Sequence, residues 1–123
     1  MPSDKDSLRD RMRGALTAAM KDRHVLAVSV LRTSLGAIDN AESVDVSRPS
    51  GVGDGPIAGA VSGLGAGEAV RRNLSEDQIR AIVMAEVSDR RSAATHYQEM
   101  SQYEDAARLR AEITILRALL DDA

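Results

Sequence analysis

The sequence predicts an all-α fold: a small four-helix bundle with a long Gly-rich connection between its second and third helices. Three observations lead there. Apolar residues recur at three- and four-residue intervals in four separate stretches, serine-led capping patterns stand ahead of the last two, and most of the glycines gather in one block. At 123 residues the chain suits one domain, 1–123, large enough to bury a core without metals or crosslinks.

The stretch His24 to Ala41, HVLAVSVLRTSLGAIDNA, organises the rest. Val28, Leu31, Leu35 and Ile38 follow one helix face, while Val25, Leu26, Ala27, Val30 and Ala37 make the flanks apolar as well. A helix apolar over most of its circumference is covered on several sides, so this is the expected central helix, 24–42, with Arg32 as its mid-helix charge.

Before it, the first helix is expected over 4–22. Ser3 or Asp4 caps its start, and Leu8, Met12, Ala15, Leu16 and Ala19 form its buried stripe. The break from Lys21 to His24 is short, which makes the first two helices antiparallel neighbours. After Glu42 the character changes. Residues 44–74 carry Pro49, Pro56 and seven glycines, and form the internal Gly/Pro-rich connection. Within it Ile57, Val61 and Leu64 recur at helical intervals, which marks a segment able to dock on the bundle. The third helix is expected over 75–100, opened by a Ser75–Gln78 capping box, with Ile79, Ile82, Val83, Val87, Ala94 and Tyr97 on its stripe; it is expected to be the longest. The fourth, 104–121, follows a second box at Ser101 and Glu104 and buries Leu109, Ile113, Leu116 and Leu120.

Composition narrows the chemistry. There is no cysteine, which excludes disulfides and thiolate catalysis and suits a reducing cytoplasm. Met1 is followed by polar residues, and no run approaches the roughly 18 apolar residues of a membrane span, so a soluble cytoplasmic protein without a membrane partner is expected. The net charge of -3 lacks the strong positive field of a typical nucleic-acid-binding domain. Tyr97 and Tyr103 are the only aromatics, which removes the stacking platforms of many single-strand binders.

Of the candidate sites, GVGDGP and GLGAGE invite a phosphate-loop reading, but neither ends in Lys-Ser/Thr and neither follows an expected strand. His24 and His96 belong to no close-spaced ligand set, so no metal or other cofactor is expected. Ser29, Thr33, Ser34, Ser88 and Ser92 fall mid-helix, where exposure or back-bonding is expected over nucleophilic catalysis, and no catalytic residue is assigned. Glu86 and Arg90 lie four apart on or beside the third helix's apolar stripe, and with Arg32 they suggest a polar network that fixes helix register; a carboxylate activated by burial is the sharper alternative. Arg9, Arg11, Arg13 and Lys21, joined by Arg71 and Arg72, offer an RNA-contacting surface, though interleaved acids favour a plain solvated face.

Taken in order, Ala19-Met20-Lys21, Leu31-Arg32, Ile38-Asp39-Asn40-Ala41-Glu42, Glu86, Arg90-Arg91-Ser92-Ala93, Tyr97 and Ala106 through Leu116 resemble the YqeY family. That family is related to the tail of the B subunit of the tRNA-dependent aspartyl/glutamyl amidotransferase. The resemblance covers both helical halves and leaves out the Gly-rich middle; Ser101-Gln102 stands where the family commonly has Gly-Arg. It implies the N-terminal helical domain of such proteins and a role beside tRNA, in which catalysis belongs to other parts of the complex. The expected function is therefore a non-catalytic helical accessory module in a tRNA- or translation-related complex, binding tRNA weakly alone. The alternative is a subunit taking part in tRNA-dependent amide transfer, a carbon–nitrogen ligase reaction with glutamine as amide donor, whose active site a partner completes.

Overall fold

The computed structural model describes residues 7–50 and 73–121, and for 44–50 the backbone alone. The described residues form four helices and no strand: α1 Leu8–Lys21, α2 Val25–Ser50, α3 Glu76–Glu99 and α4 Tyr103–Asp121. This is the expected all-α bundle. The Gly-rich stretch with Ile57, Val61 and Leu64, together with Arg71 and Arg72, lies outside the described residues.

Helix α1 starts at Leu8, with Ser7 as its N-cap: the Ser7 hydroxyl accepts from the Asp10 N–H at 3.1 Å. It ends where Arg23 enters the left-handed region at φ 57. The Arg23 N–H then reaches the Met20 carbonyl and the His24 N–H the Ala19 carbonyl, the paired bonds of a Schellman ending. His24 at once opens α2, its Nδ1 accepting from the Ala27 N–H at 3.2 Å. One three-residue corner thus stops one helix and starts the next in the opposite direction.

Helix α2 runs to Ser50, well past Glu42, and at 26 residues exceeds the 24 of α3. Ser43 to Arg48 lower helix propensity by only a few tenths of a kcal/mol each, and the strong breaker, Pro49, falls in the last turn, one residue before the helix ends. Once a helix is nucleated such penalties do not stop it. The capping box of α3 forms as expected, with Ser75 and Gln78 exchanging side-chain and backbone bonds of 3.1 and 2.8 Å. The second box does not. Ser101 sits at φ 62 as the left-handed residue of another Schellman ending, its N–H on the Gln98 carbonyl and that of Gln102 on the Tyr97 carbonyl.

The helices alternate in direction. Leu8 at the start of α1 meets Glu76 at the start of α3, and Arg11 meets Leu119 at the end of α4. The α1–α2 corner and the α3–α4 turn therefore share the opposite end. Helix α2 packs on all three others, and the buried core takes Leu8 and Met12 from α1, Leu31 and Ile38 from α2, Val83 and Val87 from α3, and Leu116 and Leu120 from α4. Its covering is incomplete, however. Near its start Val25 is 78% exposed and Ser29, Arg32 and Thr33 are exposed too, because the turn at Lys21 ends α1 without any element of the described residues to cover that flank.

Candidate interaction site

Three clusters of charged side chains hold the helices together. In α3, Arg90 donates to Glu86 one turn earlier at 2.8 Å and crosses to Glu112 of α4 at 2.8 Å. Burial acts against the Arg90 charge, but the hydrogen bonds and negative charges of Glu86 and Glu112 outweigh it and leave the guanidinium's pKa raised. The Glu86–Arg90 pair is the one expected. Its third member is Glu112 and not Arg32, which stands exposed on α2. Arg32 occupies the helix face turned away from α3, so it cannot serve the register-fixing role read from sequence.

At the other end of the bundle Arg9 donates to Glu42 at 2.8 Å, with the Glu42 side chain only 7% exposed. The same carboxylate accepts from the Leu74 N–H at 3.4 Å. Glu76 in turn accepts from the Leu8 N–H at 2.8 Å, supplying an acceptor to the start of α1 from the neighbouring helix. The third cluster is cationic. Arg11 donates to the Leu119 carbonyl at 2.5 Å and Arg80 to the Leu120 carbonyl at 2.8 Å, so arginines from α1 and α3 cap the negative end of α4.

These contacts reduce the RNA-contacting surface read from sequence. Arg9 and Arg11 are half-buried and turned into the bundle, because their guanidinium groups satisfy a buried carboxylate and an exposed helix end. Arg13 and Lys21 remain exposed. Among the mid-helix hydroxyls, Ser34 is fully buried and its Oγ has no hydrogen-bond partner among the described residues, contrary to the expected exposure or back-bonding. His96 lies exposed, tilted against the Tyr97 ring at 6.2 Å between centroids.

The concave surface that sequence reasoning missed is an open groove at the α1–α2 corner. Met20 and Arg23 border one side and Val25, Val28, Ser29, Arg32 and Thr33 the other, and its surface is mainly apolar. The α2 residues are spaced by three and four, so they form one stripe along the helix. The signal lay in the sequence all along. A stretch apolar on every side has more apolar surface than three neighbouring helices can cover, and Val25 and Val28 are the excess. A second, shallower groove on the α3–α4 hairpin is lined by Arg91, Thr95, Arg110 and Thr114 around Ala94 and Ile113. Among the described residues no group of three or more His, Asp or Glu side chains has the arrangement of a metal site, and no helix is long and apolar enough to cross a membrane.

Compared with known proteins, the chain matches no family model, no curated protein and no solved structure.

Proposed function

We propose that the chain is a non-catalytic helical accessory module that works by contact in a tRNA- or translation-related complex of the cytoplasm. The observation that carries the reading is the engagement of its partly buried carboxylates. Glu42, Glu86 and Glu112 each accept from an arginine at 2.8 Å, and these bonds tie α1 to α2 and α3 to α4. Oxygens held in this way serve helix packing and are not turned toward a substrate. The surface left for function is the apolar groove at the corner, flanked by Arg23 and Arg32. The connection with tRNA rests on the ordered fragments from Ala19 to Leu116 that resemble the YqeY family. With Arg9 and Arg11 engaged inside the bundle, Arg13 and Lys21 give only a small phosphate-contacting area, so RNA contact by the chain alone is weak and salt-sensitive.

Assays of the purified chain for glutaminase activity and tRNA-dependent amide transfer test this, alone and with candidate partner subunits. No turnover is expected from the chain by itself. Turnover that Glu86→Gln removes while circular dichroism stays unchanged would replace the accessory role with that of a catalytic subunit.

A further inference from the structure

We infer that the groove at the α1–α2 corner receives an acidic amphipathic helix from a partner protein. This rests on reading the chain as a contact module and names what it contacts. Met20 is 50% and Val25 78% exposed, and Val28 adds a half-buried neighbour to the same patch. Three adjacent apolar side chains bordering a concave surface are the usual seat for the apolar stripe of a helix.

Charge decides which helix. Arg23 stands at one end of the stripe and Arg32 at the other, and neither takes part in the ion pairs formed among the described residues. Within residues 20–33, Lys21 adds a third exposed cation against the single acid Asp22. The corner is thus locally positive on a chain whose net charge is -3. A basic or neutral partner helix would leave both guanidinium groups unanswered, whereas an acidic one pairs them while its apolar residues cover the valines. Along α2 the stripe from Val25 to Arg32 spans roughly 10 Å, the rise of seven helical residues, and Arg23 stands two residues before its Val25 end, within reach of a long acidic side chain placed there. A partner helix laid along the groove matches this with acidic residues at i and i+7 and leucine-like residues at i+3 and i+4 between them. The left-handed Arg23 holds its end of the frame in place, because the corner is fixed by the backbone bonds from His24 to Ala19 and from Arg23 to Met20.

The test titrates the full chain with a fluorescent synthetic helix carrying Glu at i and i+7 and Leu at i+3 and i+4. Two control peptides replace the glutamates by glutamine or the leucines by serine. Val25→Asp and Arg32→Glu change exposed side chains, so both variants keep the helical spectrum. Each is expected to weaken binding roughly tenfold or more, and a peptide with lysine at the matching position is expected to recover binding to Arg32→Glu. Equal affinity for all three peptides, or indifference to both substitutions, overturns the inference. So does a concentration-dependent dimer abolished by Val25→Asp, which would seat a second copy of this chain in the groove. Displacement of the acidic peptide by RNA at moderate salt would likewise assign the corner to phosphate and not to a protein. Peptide binding accompanied by turnover of the isolated chain would instead refute the accessory role and leave the docking site standing.

Discussion

Arginine has three distinct uses in this small protein, and position on the helix decides which. Arg90 is enclosed between Glu86 and Glu112. Arg11 and Arg80 neutralise a helix end. Arg23 and Arg32 face outward. Removing each therefore has a different consequence. Arg90→Ala strands two partly buried carboxylates and should cost about 2–4 kcal/mol, near the lower range for a broken buried pair because some solvent reaches all three groups. Arg32→Ala should stay within about 0.5 kcal/mol, as an exposed substitution does. Urea unfolding of the two variants checks the ordering. Comparable losses would mean that Arg32 anchors the bundle after all. The raised pKa of Arg90 sets the sign of its pH dependence: the stabilisation is complete below the unfolded-state value and disappears only as pH rises through the folded one, in strong alkali. Of these roles, the sequence revealed only the Glu86–Arg90 pair, since four-residue spacing within one helix can be read directly. Glu112 is 22 positions from Arg90 on another helix, and no local pattern announces such a partner.

At the scale of the element, the helices were legible wherever periodicity and capping acted together. The Ser75–Gln78 box predicted the start of α3 within a residue. Ser101 and Glu104 carried the same pattern, yet Ser101 belongs to the end of α3, because a tight turn between antiparallel helices needs a left-handed residue before the next helix can begin. Neither Ser101 nor Arg23 is the residue best suited to that conformation. An L side chain in the left-handed region costs about 1 kcal/mol or more, partly offset by the greater freedom of glycine in the unfolded chain. Ser101→Gly and Arg23→Gly should each raise stability by about 0.5–1 kcal/mol, read as a higher melting temperature. A lower melting temperature for Ser101→Gly would show that the hydroxyl contributes more than the backbone loses. Its contact with the Tyr103 hydroxyl, 3.4 Å and exposed, is too long to do so.

For the whole molecule, the bundle divides into two antiparallel hairpins, α1–α2 and α3–α4, that share one core. The sequence displayed this division through the block of glycines and prolines between them. It did not display which faces meet, because a helix apolar on all sides gives no direction to its own packing, and the bare flank at Val25 became visible only once every neighbour was in place. Neither hairpin can cover its own apolar stripe. Peptides of residues 1–50 and 73–123 should therefore be poorly helical when separate and regain the intact chain's circular dichroism when mixed. Full helicity of either half alone would mean that its core is self-sufficient.

The arginine bonds to the end of α4 also set an order of events during synthesis. Arg11 is made 108 positions before its acceptor at Leu119, and Arg80 waits 40 positions for Leu120. The first hairpin, closed by its own Arg9–Glu42 bond, is complete long before the groups that fasten it to α4 exist. Until then its inner stripe of Leu31 and Ile38 lacks the apolar cover of α3 and α4. The nascent hairpin thus keeps a sticky inner face until α3 and α4 have followed it out of the exit tunnel.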